Sequence, residues 1–343
     1  MKIDREAFLN DLLVVKAGLS PREYVEQSSC FVFENGEVMT FNDEVACIKK
    51  TGLPKTIKGA VQAQILLDML GKLTDEILEV SATDEELIFK GNRDRFGIAM
   101  QPDILLPIST VEVPDKWRAL PKEFTQAVDT VRDCVSHDET QFILTCIHIT
   151  PDYLESCDNL SLMRCTIDTG FDEDIMVKGT ALASIAQLSM EKVSVTKAWL
   201  HFKQSGENGM IFSCRRYEGE YHNLDPLLDF KGARFVIPKD LREAAERAAV
   251  AAVDNTDDPK MWVHLEKDRM KLQAKGLLTW YQGMRKVVYD GPQVEFYIHP
   301  NLLKMIAEEY KEAEVTDSRL RASGANWEYV TSMAPPENSE PAK

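Results

Sequence analysis

Three near-copies of one helical word recur along the chain at a fixed interval. Residues 3–11 read IDREAFLND, residues 120–128 read LPKEFTQAV and residues 237–245 read IPKDLREAA. The intervals are 117 and 117 residues. Ile3, Leu120 and Ile237 share one column, and Arg5, Lys122 and Lys239 share another. A second word follows in each third: VQAQILLDML at 61–70, VKGTALASIA at 177–186 and IHPNLLKMIA at 298–307. Two words in one order in three places mark a repeated unit. A period of this length matches a whole small domain rather than a solenoid turn.

The words have helical period. In residues 5–18, Phe8, Leu9, Leu12, Leu13 and Val15 form an apolar stripe, and residues 239–252 are rich in Ala, with Leu241 among them. The segments between them alternate instead. Residues 77–90 read as a hairpin turning at 84–86, and KVSVTKAWLHFKQ, MWVHLEKDRMKLQA and RLRASGANWEYVTSM repeat the pattern. The expected unit is a helix followed by an antiparallel meander, two such halves per third. The fold class is therefore α+β with three tandem domains, at 1–115, 116–232 and 233–334. Pro-containing segments at 107–121 and 225–238 separate them, and the Pro-, Glu- and Ser-rich residues 335–343 read as a disordered tail.

Composition narrows the class. Hydrophobic residues make up 44% and charged residues 28%, as in an ordinary globular protein. No apolar run reaches the roughly 18 residues that span a membrane, and the acidic N-terminal stretch does not read as a signal peptide. Seven widely spaced cysteines with no CxxC pair read as reduced, buried thiols. The net charge of −16 argues against a basic coat, although one basic face on an acidic body is compatible with it.

Catalytic signatures are sparse. GxxxxGK[ST], GxGxxG, GxSxG and HExxH are missing. Cys146 and His148 would share a strand face, but no further ligands lie nearby in the sequence, so no metal or cofactor is expected. The acidic runs at 172–175 and 254–259 read as solvated loops. Asp168-Thr169-Gly170 is the word of the aspartic proteases, which suggests one catalytic alternative. A turn at a strand end explains it equally well.

Several longer words, in order, resemble the bacterial DNA polymerase III beta sliding clamp family: FENGEVMTFNDEVA (33–46), SHDETQFILTCIHI (136–149), CTID (165–168), RRYEGEY (215–221) and WEYVTSM (327–333). The resemblance covers nearly the whole chain and suggests a divergent member, bacterial or phage-encoded. It implies a non-enzymatic processivity factor. Two chains would close head to tail into a ring around double-stranded DNA in the cytoplasm and tether a DNA polymerase and a clamp loader. A clamp-fold scaffold that does not encircle DNA is the alternative within binding proteins. The resemblance places DNA contacts at Arg22 in the loop after the first helix, at Arg93 and Arg95 on a hairpin tip, and at Phe142. The repeated column Arg5, Lys122 and Lys239 adds sequence-blind phosphate attraction. The resemblance also implies a peptide cleft built from Leu144, Ile167, Thr169, Gly170, Phe171, Pro226, Leu227, His299, Leu302, Val330 and Met333.

Overall fold

The computed structural model describes residues 1–112, 114–206, 208–229, 231–252 and 259–334. The expected tail at 335–343 and most of the acidic run at 254–259 lie outside these. The chain forms two compact units. One comprises Met1–Arg132, Thr145–Asp152 and Asp168–Glu220, and the other Asp133–Leu144, Tyr153–Ile167 and Tyr221–Lys343. Among the described residues there are seven α-helices: α1 (Arg5–Val15), α2 (Ala63–Lys72), α3 (Phe124–Val131), α4 (Gly179–Leu182), α5 (Asp225–Leu228), α6 (Leu241–Ala252) and α7 (Pro300–Glu309).

In the first unit, α1 starts where the Asp4 carboxylate accepts the Ala7 N–H at 2.8 Å. It buries Phe8, Leu12 and Val15, one residue per turn. Leu9 and Leu13, expected on the same stripe, turn outward, and Leu13 is 46% exposed. Helix α2, which buries Leu66, Leu67 and Leu70, and the strands Glu37–Phe41 and Val45–Lys50 pack against α1. An antiparallel ladder runs Lys2–Asp4, Ile77–Ala82, Glu86–Lys90, Arg95–Gln101, Gly59–Gln62, Cys30–Glu34, Glu37–Phe41 and Val45–Lys50. It continues through Ile211–Tyr217, Trp199–Lys203 and Lys192–Val195 to Arg118–Ala119. A core of Val32, Met39, Phe41, Leu106, Val111 and Trp199 lies under it.

In the second unit, Ser161–Thr166 pairs with Tyr153–Cys157 on one side and Trp327–Ser332 on the other. The ladder continues to Arg319–Ser323, Glu312–Val315 and Ala233–Val236. A separate sheet runs Trp280–Lys286, Arg269–Lys275, Met261–Glu266 and Val294–Ile298. Helix α6 packs on α7 and on this sheet through Leu241, Ala244, Ala245 and Ala248. The small alanines let the helix approach closely.

One order of elements recurs three times: strand, helix, three strands, strand, helix, three strands, with a two-residue strand Val288–Tyr289 added in the third. The expected hairpins form at 77–90, 192–203, 261–275 and 319–332. The word at 136–149, which in the resembling family opens the second domain's sheet, is only partly a strand. Glu139–Thr145 is a kinked 3₁₀ segment, and the strand begins only at Cys146. Asp138 accounts for this, because its carboxylate accepts the Thr140 N–H at 2.9 Å and its carbonyl accepts from Gln141 at 3.0 Å. All seven thiols are free and buried. Burial pushes the Cys47 thiol up to about 12.

Candidate nucleic-acid interface and partner cleft

The candidate DNA contacts divide by what their charges do. Arg22, Arg93, Arg95, Lys122 and Lys239 are exposed and make no ion pair among the described residues. Arg5 differs. Its guanidinium is half-buried and donates through Nε to the Asp75 carbonyl at 3.1 Å and through Nη1 to the Leu70 carbonyl at 3.2 Å. It closes the C-terminal end of α2. Phe142 is half-buried within the 3₁₀ segment rather than carried on a strand.

The hairpin that carries Arg93 and Arg95 is held at its base. Gly91 donates to the Asp94 carbonyl at 2.8 Å, and the Asn92 N–H donates to the Asp75 carboxylate at 3.2 Å. A Cβ at Gly91 would collide with that carboxylate, so a larger residue there would displace the Asp75 side chain. The cations on α6 and α7 are mostly neutralised. Arg242 reaches Glu246 at 3.4 Å and Glu308 at 3.2 Å, and Lys304 reaches Glu246 at 3.1 Å. The Lys304 hydrogen bond holds the Glu246 carboxyl below its ordinary range.

Eight of the eleven expected cleft residues lie in the second unit. Leu144 and Val330 join Cys157, Leu162, Leu224 and Leu228 in one apolar cluster, with Tyr221 against it. The Tyr221 hydroxyl accepts the Cys157 N–H at 3.0 Å. Helix α5 is pinned at both ends: Arg164 donates to Asp225 at 2.7 Å, and Arg321 donates to the Leu228 carbonyl at 3.2 Å. Its buried face is Leu228, so Pro226 and Leu227 point outward. Met333 is buried and donates to Ser318 at 2.8 Å, and Ala334 bridges to Tyr297. His299 caps α7 by accepting the Asn301 N–H at 3.1 Å, with Leu302 half-buried behind it and Ile167 half-buried at the end of its segment.

Thr169, Gly170 and Phe171 belong to the first unit, where they have internal duties. Thr169 is fully buried, and its hydroxyl donates to the Thr150 carbonyl at 2.5 Å. Gly170 takes a φ of 68°. Phe171 is buried 5.6 Å from Phe124 and beneath the Arg118 guanidinium at 4.6 Å. The Asp168 carboxylate accepts the Gly170 N–H at 2.9 Å, which closes a tight turn. That bond is the turn reading of Asp-Thr-Gly.

No family model matches the chain, and no curated protein matches it. Solved structures do. A DNA polymerase III subunit beta from Pseudomonas aeruginosa is 18% identical, with a TM-score of 0.82 over 98% of this chain and 99% of that one. A DnaN sliding clamp from Bartonella birtlesii bound to griselimycin is 17% identical, with a TM-score of 0.84 over 97% and 98%. The Thermotoga maritima beta subunit is 14% identical, with a TM-score of 0.82 over 98% and 99%.

The chain has the beta sliding clamp fold.

Within that clamp fold, several residues around the sites were not singled out in the sequence. Cys157, Leu162, Tyr221, Leu224 and Leu228 complete the apolar cluster. The L-x-x-x-L spacing of Leu224 and Leu228 was a readable signal for a helical face. The outer strand Trp280–Lys286 pairs on one side only, and Leu278 beside it is 95% exposed. A groove of about 770 Å³ between Asp268 and Val288 flanks it. The run LLTW was the sequence signal here, because it places three large apolar residues in a turn.

Proposed function

We propose that the protein is a non-enzymatic DNA sliding clamp. Two copies close head to tail around duplex DNA, and the second-unit cleft takes short peptides of a polymerase and a clamp loader. The three tandem domains are 1–115, 116–232 and 233–334, with the site of action in a bacterial or phage-infected cytoplasm. Among the described residues, no helix is long and apolar enough to cross a membrane.

The observation that carries this reading is a strand pairing that recurs along the chain. The third strand of the first meander in one repeat pairs with the last strand of the next repeat. Val45–Lys50 pairs with Ile211–Tyr217 in this way, and Ser161–Thr166 pairs with Trp327–Ser332. Among the described residues, two strands in the same positions lack that partner: Trp280–Lys286, and residues 95–99 of Arg95–Gln101. An unpaired edge beside exposed Leu277, Leu278, Trp280 and Met284 is a template for another chain. Pairing 280–286 of one copy with 95–99 of another continues the same rule and is heterologous, the kind of contact that forms a ring where its rotation closes. The five unpaired cations supply weak, sequence-blind attraction to phosphate, which suits sliding.

Imaging of the purified full chain at micromolar concentration tests this, with native mass measured on the same sample. Rings with a central hole and a mass of two chains are expected. Single chains without a hole at tens of micromolar, also in the presence of duplex DNA, would overturn it.

A further inference from the structure

Beyond a 3₁₀ turn at Lys16–Gly18, residues 19–29 after α1 have no regular secondary structure, yet they are bonded throughout. Ser20 donates to the Ser28 carbonyl at 2.8 Å, Ser28 to Val25 at 3.0 Å, and Cys30 to Gln27 at 3.0 Å. Gln27 is the centre. It is 1% exposed, and its φ of 61° is left-handed. Its side-chain Nε2 donates to Gln101 Oε1 at 2.9 Å and to the Asp103 carbonyl at 2.8 Å. Its Oε1 accepts from Leu105 at 2.9 Å and from Leu106 at 3.1 Å. Every bonding position of the amide is used. Its backbone N–H donates to the Glu23 carboxylate at 2.6 Å. A non-glycine residue in the left-handed region costs on the order of 1 kcal/mol and persists where its surroundings over-determine it. This loop exposes Pro21, Arg22, Glu23, Tyr24 and Glu26; the Arg22 guanidinium has no partner among the described residues, and Tyr24 is 79% exposed.

We infer that Tyr24 and Arg22 form a contact for single-stranded DNA, with Gln27 as the residue that positions them. The inference rests on the reading of the protein as a DNA clamp and extends it to unpaired strand. The phenol ring takes the face of an unpaired base, and the guanidinium takes the adjoining phosphate. A stacked duplex offers no free base face, so the aromatic contact selects single strand. Glu23 and Glu26 would both repel a phosphate; the tie of Glu23 to the Gln27 backbone restrains the first, and Arg22 must outweigh the second.

Fluorescence anisotropy of the full chain with labelled oligo-dT, and with a duplex of equal length, tests the contact. Tyr24→Ala is expected to weaken oligo-dT binding by about 5- to 150-fold and to leave duplex binding nearly unchanged, while Tyr24→Phe retains affinity. Arg22→Ala is expected to lower the salt slope on oligo-dT by about 0.7. Gln27→Ala is expected to lose the same factor as Tyr24→Ala, and the double variant to be no weaker than Tyr24→Ala alone. A merely structural glutamine would give losses that multiply. If Gln27→Ala does not fold, Tyr24→Ala still decides, because Tyr24 is exposed. Parent-like oligo-dT binding by Tyr24→Ala, or no oligo-dT binding by the parent, would overturn the inference. Retention on nicked circular DNA with release on linearisation is scored separately. Ring retention without any effect of Tyr24 sinks only the loop contact, and Tyr24-dependent binding without retention sinks only the ring.

Discussion

Arg5 and Asp75 are joined through the main chain: Arg5 Nε donates to the Asp75 carbonyl at 3.1 Å, and the Arg5 N–H donates to the next carbonyl, Glu76, at 2.8 Å. The Asp75 carboxylate is thereby left to receive the Asn92 N–H at the root of the Arg93 hairpin. One residue locks the end of α2, and the next layer out fixes the direction of two free cations. Arg5→Ala should therefore lower stability by about 1–2 kcal/mol, because it removes charge-assisted bonds. Arg93→Ala and Arg95→Ala should stay within about 0.5 kcal/mol of the parent. Urea midpoints at constant slope distinguish the two classes.

Arg93→Ala and Arg95→Ala together should weaken duplex DNA binding at all sequences equally. The slope of log affinity against log salt should fall by about 1.8, or about 0.9 for each phosphate left without its cation. A titration series at several salt concentrations reads this directly. A slope equal to that of the parent would remove the hairpin from the interface.

The exposed edge gives a prediction about assembly. Trp280→Lys combined with Met284→Lys places like charges along an unpaired strand and leaves the buried side of the sheet untouched. Sedimentation should show the mass of one chain where the parent shows two, with the same urea midpoint. Loss of folding instead of loss of assembly would mean that the edge is an internal surface.

The cleft separates binding from stability. Leu227 is exposed on α5, and Leu162 is buried in the cluster beneath it. Leu227→Asp should reduce affinity for a labelled peptide with apolar anchors by about tenfold, equivalent to about 1.4 kcal/mol, with little change in stability. Leu162→Ala should cost about 2–5 kcal/mol of stability. Fluorescence polarisation and chemical denaturation read the two effects.

His201 sets a pH dependence. It is buried between Ser213 at 2.8 Å and Thr196 at 3.0 Å, and burial pushes its imidazole down to about 4. The unfolded chain takes up a proton near pH 6.5, and the folded chain refuses it until near 4. Stability from this group is therefore full above pH 6.5 and falls through the window below it, by about 3 kcal/mol in all. Denaturation between pH 7 and 4.5 should show a slope that His201→Gln flattens.

The repeats were legible because each third uses the same order of helices and meanders, so both helical words return at nearly constant spacing. Hairpins such as 77–90 were legible from strict alternation. What escaped depends on contacts far apart in sequence. Leu9 and Leu13 fit the helical period as well as Phe8 and Leu12 do, and only the placement of α2 and of the strands packed against α1 decides between them. Arg5 shares a column with Lys122 and Lys239, but only Arg5 meets the carbonyls of Leu70 and Asp75. Thr169 and Phe171 sit in the expected cleft by alignment, yet they fill the interior beside Thr150 and Phe124. The Gln27 amide meets residues more than 70 positions away, which no local pattern announces.

The burial of all seven sulfurs has a practical chemical outcome. A thiol held near 12, as at Cys47, carries roughly three orders of magnitude less thiolate at neutral pH than a free surface cysteine. Maleimides and spin labels will pass over the native side chains. A single cysteine introduced at residue 24, 93 or 280 becomes the one fast-reacting group on the molecule, so probes can be placed without first stripping the chain of its own thiols.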